Sequence, residues 1–466
     1  MVLWYQERTQ QSRKEGGTWV RFDSFEDILS YWASQSPDQT ALRYGHEDCS
    51  YRELLARVRA RAEELKNAGK TCLGLLSDGS LDCVIELFAA NLAGLQVVLL
   101  DDAAPESVLR GLIAYTDIDL LWGDGELCAE LNGNLTHGVT DGARKILFFT
   151  SGTTERAKAV VLTDHSLCQS AYNGSAMLPL QPEDSLLCML PLGHVFGFVC
   201  GLLWGLNCGA TVALGRGARH YLDDPDFYRP TAVSVVPRLL GFLLQQNCIN
   251  EELKLILVGA GDCPPQLLQA AKARGIRVSF GYGMTETSSG VAISVSDDPY
   301  AMEICPDDTV TIAEDGEILI AAPTCMMQGY YKWPQYTEEV LRHGILSTGD
   351  LGRFDQNGRL HITGRKKDIL VLGDGTKIFL PEYEAELMTR LGSTELAVAL
   401  REDRPVLVYD GAEEKKTIWE KLRPMMEQLP RGQQLTDIIF ATEPLPRTAS
   451  GKIKRWELQQ KVGTWT

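Results

Sequence analysis

The stretch Phe149-Thr150-Ser151-Gly152-Thr153-Thr154-Glu155-Arg156-Ala157-Lys158 follows an apolar run at 146–149 and packs hydroxyls, a glycine and a lysine into a short loop. Hydroxyls and backbone N–H groups in such a loop can wrap phosphate oxygens, and a lysine adds a point charge. The loop lacks the Gly-Lys-Ser/Thr ending of a Walker A motif, so it is a phosphate site of another kind. Far down the chain, Pro444-Leu445-Pro446-Arg447-Thr448-Ala449-Ser450-Gly451-Lys452 sets a second lysine on a Ser-Gly turn. Two phosphate-type lysines on separate parts of one chain suit an enzyme that closes around ATP.

Further short patterns occur in order between and around these two. They are Ser50-Tyr51-Arg52-Glu53-Leu54; Leu92-Ala93-Gly94 with Leu99-Leu100-Asp101-Asp102; and Gly281-Tyr282-Gly283-Met284-Thr285-Glu286. After them come Gly316-Glu317-Ile318 with Gly329-Tyr330-Tyr331, then Ser347-Thr348-Gly349-Asp350-Leu351, then Gly364-Arg365-Lys366-Lys367-Asp368. Each is short enough to arise by chance; their order and spacing are not. On these motifs the chain resembles the adenylate-forming (AMP-binding) superfamily, which includes acyl-CoA synthetases, amino-acid adenylation domains and luciferases. The resemblance covers almost the whole chain, and the acyl-CoA synthetase or fatty-acid–CoA ligase type fits it best.

The resemblance implies roles for individual residues. Thr150, Ser151, Gly152, Thr153, Thr154 and Lys158 match the phosphate loop, whose usual glycines and proline are replaced by Glu155, Ala157 and Ala159. Glu155 brings a carboxylate close to the triphosphate. Tyr282 is expected to stack on adenine, Thr285 to touch the α-phosphate and Glu286 to hold Mg²⁺, a hard cation that prefers oxygen ligands and keeps several waters. Gly259-Ala260-Gly261 resembles the small-residue turn that lets adenine approach the backbone. Asp350 is expected to accept hydrogen bonds from the ribose hydroxyls, with Arg365 near the same sugar. Charge-assisted O–H···O⁻ bonds suit that task. Lys452 matches the catalytic lysine, which stabilises charge spread over carboxylate, phosphorus oxygens and leaving pyrophosphate. Lys367 matches the hinge about which the small domain rotates, withdrawing Lys452 and presenting the hairpin around Gly375 for thioester formation. His194, after Pro191-Leu192-Gly193, falls at the acyl pocket.

Hydrophobic periodicity gives an alternating α/β texture. Helices are predicted over 25–33, 51–68, 81–93, 238–246 and 265–273, with strands at 72–76, 96–100, 232–236 and 255–258. Strands separated by such helices imply parallel sheets with crossover connections. Residues 310–362 read as a β-rich subdomain. Beyond 365 come a hairpin at 369–378, a helix at 381–391, strands at 395–400 and 406–409, and a helix at 416–428. The expected architecture is α/β: a large N-terminal domain, 1–366, of stacked mixed sheets and crossover helices, and a small mobile α+β domain, 367–466.

The net charge of −17 argues against nucleic acid as a general partner, because no excess positive field is present to neutralise a phosphate backbone. The twelve cysteines show no C-x-x-C pair and no regular spacing, so reduced, buried thiols in a cytoplasmic protein are expected. Residues 1–17 are polar and hold no signal-like apolar core. The most apolar stretch, 195–206, is too short for a transmembrane segment, which takes about 20 residues, and reads as a buried helix.

The expected activity is ATP- and Mg²⁺-dependent ligation of a small-molecule carboxylic acid to a thiol, most simply coenzyme A. Residues 193–206 hold no acidic side chain, and an unpaired ammonium in an apolar pocket is costly, so a hydrophobic acid is favoured over an amino acid. Its tail is expected along 194–206, in grooves left by Gly197 and Gly201 beside Phe196 and the 281–283 turn. Fatty acids are the first expectation and aryl acids the second. The alternatives are loading of a separate acyl carrier protein, stand-alone amino-acid adenylation, and a non-catalytic nucleotide-binding homologue.

Overall fold

The computed structural model describes residues 20–123, 126–132, 135, 144–150, 158–261, 263–372, 377–402, 404–447 and 453–465. Two large sheets dominate residues 20–331. The first has nine strands in the order Glu303–Ile304, Ser289–Ile293, Arg277–Met284, Leu255–Val258, Ala232–Val235, Ser185–Cys188, Thr211–Leu214, Thr40–Tyr44 and Glu47–Ser50. Its centre is parallel, and its edges are antiparallel. The second sheet has six strands, in the order Gly329–Tyr330, Ala159–Thr163, Lys145–Phe149, Gln96–Asp101, Cys72–Ser77 and Leu120–Trp122. Its inner strands are likewise parallel.

The sheets are mixed, as expected, because some of the motif-bearing connections join antiparallel neighbours. The strands on either side of residues 150–158 are antiparallel, with Phe149 opposite Ala159. The helices Phe25–Gln35, Tyr51–Asn67, Leu81–Leu92 and Asp164–Met177 contribute to one core with both sheets, so the layers are sheet, helices, sheet. Helix starts are encoded locally. Ser50 and Glu53 form a reciprocal capping box, and Ser80 accepts from the Cys83 N–H, each cap being worth about 1 kcal/mol.

The apolar stretch at 195–206 is buried, but not as a regular α-helix. Gly197–Leu203 is a π-helix that passes into the α-turn Trp204–Asn207. Its glycines face the first sheet. A Cβ on Gly197 would lie 2.4 Å from the Pro191 carbonyl, one on Gly201 2.9 Å from Cys188 Sγ, and one on Gly205 2.6 Å from Val212 Cγ2. The expectation that Gly197 and Gly201 open grooves for an acyl tail is therefore wrong. They are small so that this helix can lie close against the Leu190–Pro191 loop and the side chains of the strands.

The third sheet supplies the β-rich part. Thr309–Ile312, Glu317–Ala321, Ile345–Phe354 and Leu341–Arg342 are joined in that order, and Leu360–Arg365 pairs with Ile345–Phe354. Beyond it, Ile369–Val371 and Lys377–Phe379 form a hairpin, and Leu396–Arg401, Arg404–Tyr409 and Asp437–Phe440 a small sheet. Leu380–Leu391 and Lys415–Met426 pack on one face, and Arg455–Val462 on the other. The two hydrophobic clusters there draw only on residues from Leu370 onward. Among the described residues, no helix is long and apolar enough to cross a membrane.

Candidate functional site

In the first sheet the strand Leu255–Val258 ends at a small-residue turn, beside the glycine-rich part of its parallel neighbour Arg277–Met284. Leu255–Val258 runs into Gly259-Ala260-Gly261, with Val258 in register with Phe280, so Gly259 leaves the sheet beside Gly281, which continues in its strand against Ser289–Ile293. Carboxyl ends of parallel strands are where ligands bind in open α/β sheets. Ala260 takes a positive φ of 61°, and a Cβ at Gly259 would come within 2.8 Å of the Phe196 ring. Phe196 is thus seated against the backbone of this turn.

Gly283 is required by a close approach. A Cβ there would lie 1.7 Å from the Ser289 carbonyl, where the strand register slips between Tyr282 and Gly283. That slip aims Tyr282 at the third sheet. Its hydroxyl donates to Asp350 Oδ2 at 3.0 Å, while Arg365 Nε donates to Asp350 Oδ1 at 2.9 Å. Asp350 and Arg365 are cross-strand partners. Burial, and then the Asp350 carboxylate, push the Tyr282 phenol well above its usual range, so it remains a donor.

Thr285–Thr287 is a single 3₁₀ turn closed by Ser288 at φ 53°. It carries Thr285 and Glu286, both half-buried. Glu286 Oε1 accepts from the Tyr330 hydroxyl at 2.6 Å, and its backbone carbonyl accepts from Met327 N–H. Thr150 N–H donates to the Lys158 carbonyl at 3.0 Å, which ties together the two ends of the segment expected to bind phosphate. Lys158 Nζ stands 3.5 Å from the Tyr336 ring centroid and 5.5 Å from that of Tyr330.

The structure therefore brings Tyr282, Asp350 and Arg365 into one cluster, and Lys158 and Glu286 around Tyr330. His194 is exposed, its backbone opening the turn before the π-helix, and its side chain contacts none of these groups. Ser151, Gly152, Thr153, Thr154 and Lys452 lie outside the described residues, as does the side chain of Lys367 and the hairpin tip at Gly375.

Four contributors carried no assigned role in the sequence. Glu317 Oε1 accepts from Gly349 N–H at 2.8 Å, and its other oxygen accepts from Lys366 Nζ at 2.7 Å, which fixes the turn before Asp350. Asp315 shares that lysine and, with Glu317, holds its ammonium above the usual range. Tyr330 and Tyr336 form the wall between Lys158 and Glu286. The motif Gly329-Tyr330-Tyr331 marked the first of them, and Tyr336 carried no signal beyond its aromatic neighbours Trp333 and Tyr331.

The AMP-binding enzyme family profile matches residues 29–144 and 143–331, more than half of the chain. The chain belongs to the AMP-binding enzyme family. This AMP-binding enzyme is 26% identical over 487 residues to the 2-succinylbenzoate–CoA ligase of Bacillus subtilis (strain 168), covering 92% of this chain and 96% of that protein. It is 28% identical over 506 residues to the indoleacetate–CoA ligase of Aromatoleum aromaticum, covering 94% and 99% respectively. Among solved structures it is similar to the Bacillus subtilis O-succinylbenzoate coenzyme A synthetase in complex with ATP and magnesium ion. There the TM-score is 0.76, at 25% identity over 92% of this chain and 98% of that one.

Proposed function

We propose that this protein is an ATP-dependent carboxylic acid–CoA ligase that forms AMP. The observation that carries this is the buried Asp350, held by Tyr282 and Arg365 beside the small-residue turn at the carboxyl end of Leu255–Val258 in the first sheet. Tyr282 and the 259–261 turn frame the adenine, and Asp350 and Arg365 receive the ribose. Thr285 and the phosphate loop, residues 150–154 with Lys158, take the phosphates. Glu286 fits a magnesium site, since Oε2 has no hydrogen-bond partner among the described residues and the side chain is reached from solvent. Mg²⁺ bound there supplies charge neutralisation across the phosphates.

In the first half-reaction the acid's carboxylate attacks the α-phosphorus. A new P–O bond forms as the bond to the bridging oxygen breaks, and pyrophosphate leaves with that electron pair. No protein base is needed, because the acid is already ionised; positioning and electrostatics carry the rate. Lys452 meets the developing charge. In the second half-reaction the coenzyme A thiolate attacks the acyl carbonyl, and AMP leaves. Residues 367–466 turn as one body about Lys367 between the two steps, a reading supported by their self-contained core. Gly364, at φ 153°, leaves room for the Phe379 ring, which a Cβ would meet at 2.2 Å, so that body rests on the third sheet without a bulky contact.

The acid we infer is hydrophobic, and a compact aryl acid fits better than a long fatty chain. Phe196 covers Gly259, and the space beside the helix glycines is taken by the Pro191 carbonyl, Cys188 Sγ and the Val212 and Leu186 side chains, so the described residues leave no groove for a long tail along 197–205. No acidic residue in 193–206 can pair an α-ammonium. The relatives above are named for aryl acids. The twelve cysteines are free and mostly buried, in keeping with a cytoplasmic enzyme.

The test is a screen of aryl, short, medium and long acids and amino acids with ATP and Mg²⁺. Pyrophosphate, AMP and thioester are followed, with coenzyme A or holo-carrier protein as acceptor. Aryl acids should yield acyl-CoA. ATP binding with no pyrophosphate from any acid would overturn the proposal, and thioester formed only on the carrier would reassign the acceptor.

A further inference from the structure

We infer that Tyr330 and Tyr336 are positioning residues that keep the phosphate lysine and the metal carboxylate apart until ligand arrives, an inference that rests on the ligase reading above. Lys158 and Glu286 are opposite charges in one small region, yet no ion pair joins them. Both charged groups meet tyrosine instead. Tyr336 lies 3.5 Å beneath the Lys158 ammonium, and Tyr330 gives its hydroxyl to Glu286 Oε1 at 2.6 Å while turning its ring toward the same lysine at 5.5 Å. The two rings are 5.1 Å apart and tilted by 51°, a contact that braces each against the other.

Three chain segments hold this arrangement. Tyr330 is on an edge strand paired with Val160, two residues past Lys158. Tyr330 N–H donates to Thr337 Oγ1 at 2.9 Å, which pins the helix Pro334–Val340 and so Tyr336. Gly329, at φ 145°, lets Thr337 approach; a Cβ there would lie 3.0 Å from its Cγ2. Glu286 comes from the third direction, on the turn after Met284.

A lysine on a flexible stem will pair with a nearby carboxylate when nothing else holds it. Such a pair would neutralise both groups that Mg·ATP needs. A ring face holds the ammonium without neutralising it. A phenol hydrogen bond fixes the carboxylate while leaving Oε2 open for the metal. Among the described residues, the two tyrosines thus present a positive and a negative group that are not paired with each other.

The test is calorimetric titration of ATP, with Mg²⁺ and separately with EDTA, on the full chain. Tyr330→Phe keeps the ring and removes the donor; it should weaken ATP binding about tenfold with Mg²⁺, the scale of one charge-assisted hydrogen bond, and leave the EDTA value unchanged. Tyr336→Leu should weaken binding in both conditions, while Tyr336→Phe should match wild type. Equal loss in EDTA for Tyr330→Phe, no loss with Mg²⁺, or a Tyr336→Phe variant as weak as Tyr336→Leu would each overturn the inference. Wild type that binds ATP tightly yet releases no pyrophosphate fails the ligase reading alone. Wild type that turns over while Tyr330→Phe keeps its Mg²⁺ dependence fails the tyrosine pair alone. Wild type that binds no ATP overturns both.

Discussion

Tyr282 and Asp350 stand on strands of different sheets, and the phenol donates to the buried carboxylate at 3.0 Å. Arg365 closes the other side of the same carboxylate. A nucleoside bound here would meet an acceptor that is already oriented, so no side-chain reorganisation opposes binding.

That relationship makes Asp350→Asn the informative substitution. It keeps shape and a hydrogen-bond acceptor but removes the charge that two donors face. One charge-assisted bond is worth about 1.5–3 kcal/mol, so the ATP Kd should rise about tenfold to hundredfold. Titration of ATP against variant and wild type checks this. An unchanged Kd would move the ribose elsewhere.

Lys452→Ala should abolish adenylate formation and spare thioester formation from preformed acyl-AMP. The lysine is assigned from its motif alone, and in that assignment it meets the phosphates only in the first conformation. Loss of one transition-state contact of roughly 3–4 kcal/mol corresponds to about 10²–10³ in rate. Single-turnover assays of each half-reaction decide it; equal loss in both would remove Lys452 from its place.

Much of this site was legible because each motif ties chemistry to a fixed local turn. Thr285-Glu286 on its 3₁₀ turn, and Asp350 one residue after Gly349, are local facts that the sequence carries. The pairing of Lys158 with Tyr336 is not local. It depends on an edge strand and a short helix docking beside Lys158, and residue types alone do not say where an ammonium will rest. The stretch at 195–206 misled for a related reason. Small residues show where something comes close, and here it is the Pro191 carbonyl and the Cys188 and Val212 side chains rather than a substrate. The π-helix itself leaves no mark, since uniformly apolar residues have no period to read.

Gly197→Leu and Gly201→Leu should accordingly destabilise the fold instead of shortening the preferred acid. The nearest atoms are the Pro191 carbonyl at 2.4 Å and Cys188 Sγ at 2.9 Å, and overpacking of this kind costs about 1–3 kcal/mol or more. Phe196→Ala should instead widen acid selection toward bulkier acids, with the ATP KM unchanged, because it clears the face of Gly259. Melting temperatures for the glycine variants and an acid panel for Phe196→Ala provide the check. A stable Gly201→Leu enzyme with a shortened acid preference would restore the groove.

Asp308 sets a pH dependence of stability. Its Oδ2 accepts from Asn173 at 3.2 Å, while Oδ1 is buried without a partner among the described residues. Burial first, and then neighbouring Asp307, push the carboxyl up to about 7 from its ordinary 3.8; the Asn173 amide pulls weakly the other way. The folded pKa lies above the unfolded one, so this group's contribution is fully present below about pH 4 and is lost as pH rises through about 7. A shift of this size sets a ceiling of about 4 kcal/mol, reduced by whatever solvent reaches the site. Asp308→Asn keeps the Asn173 contact and cannot ionise. Its melting temperature should exceed that of wild type at pH 8 and approach it at pH 5, so that the difference between the two proteins grows with pH. A difference that stays constant from pH 5 to 8 would show that Asp308 is charged throughout and that its burial is relieved by solvent.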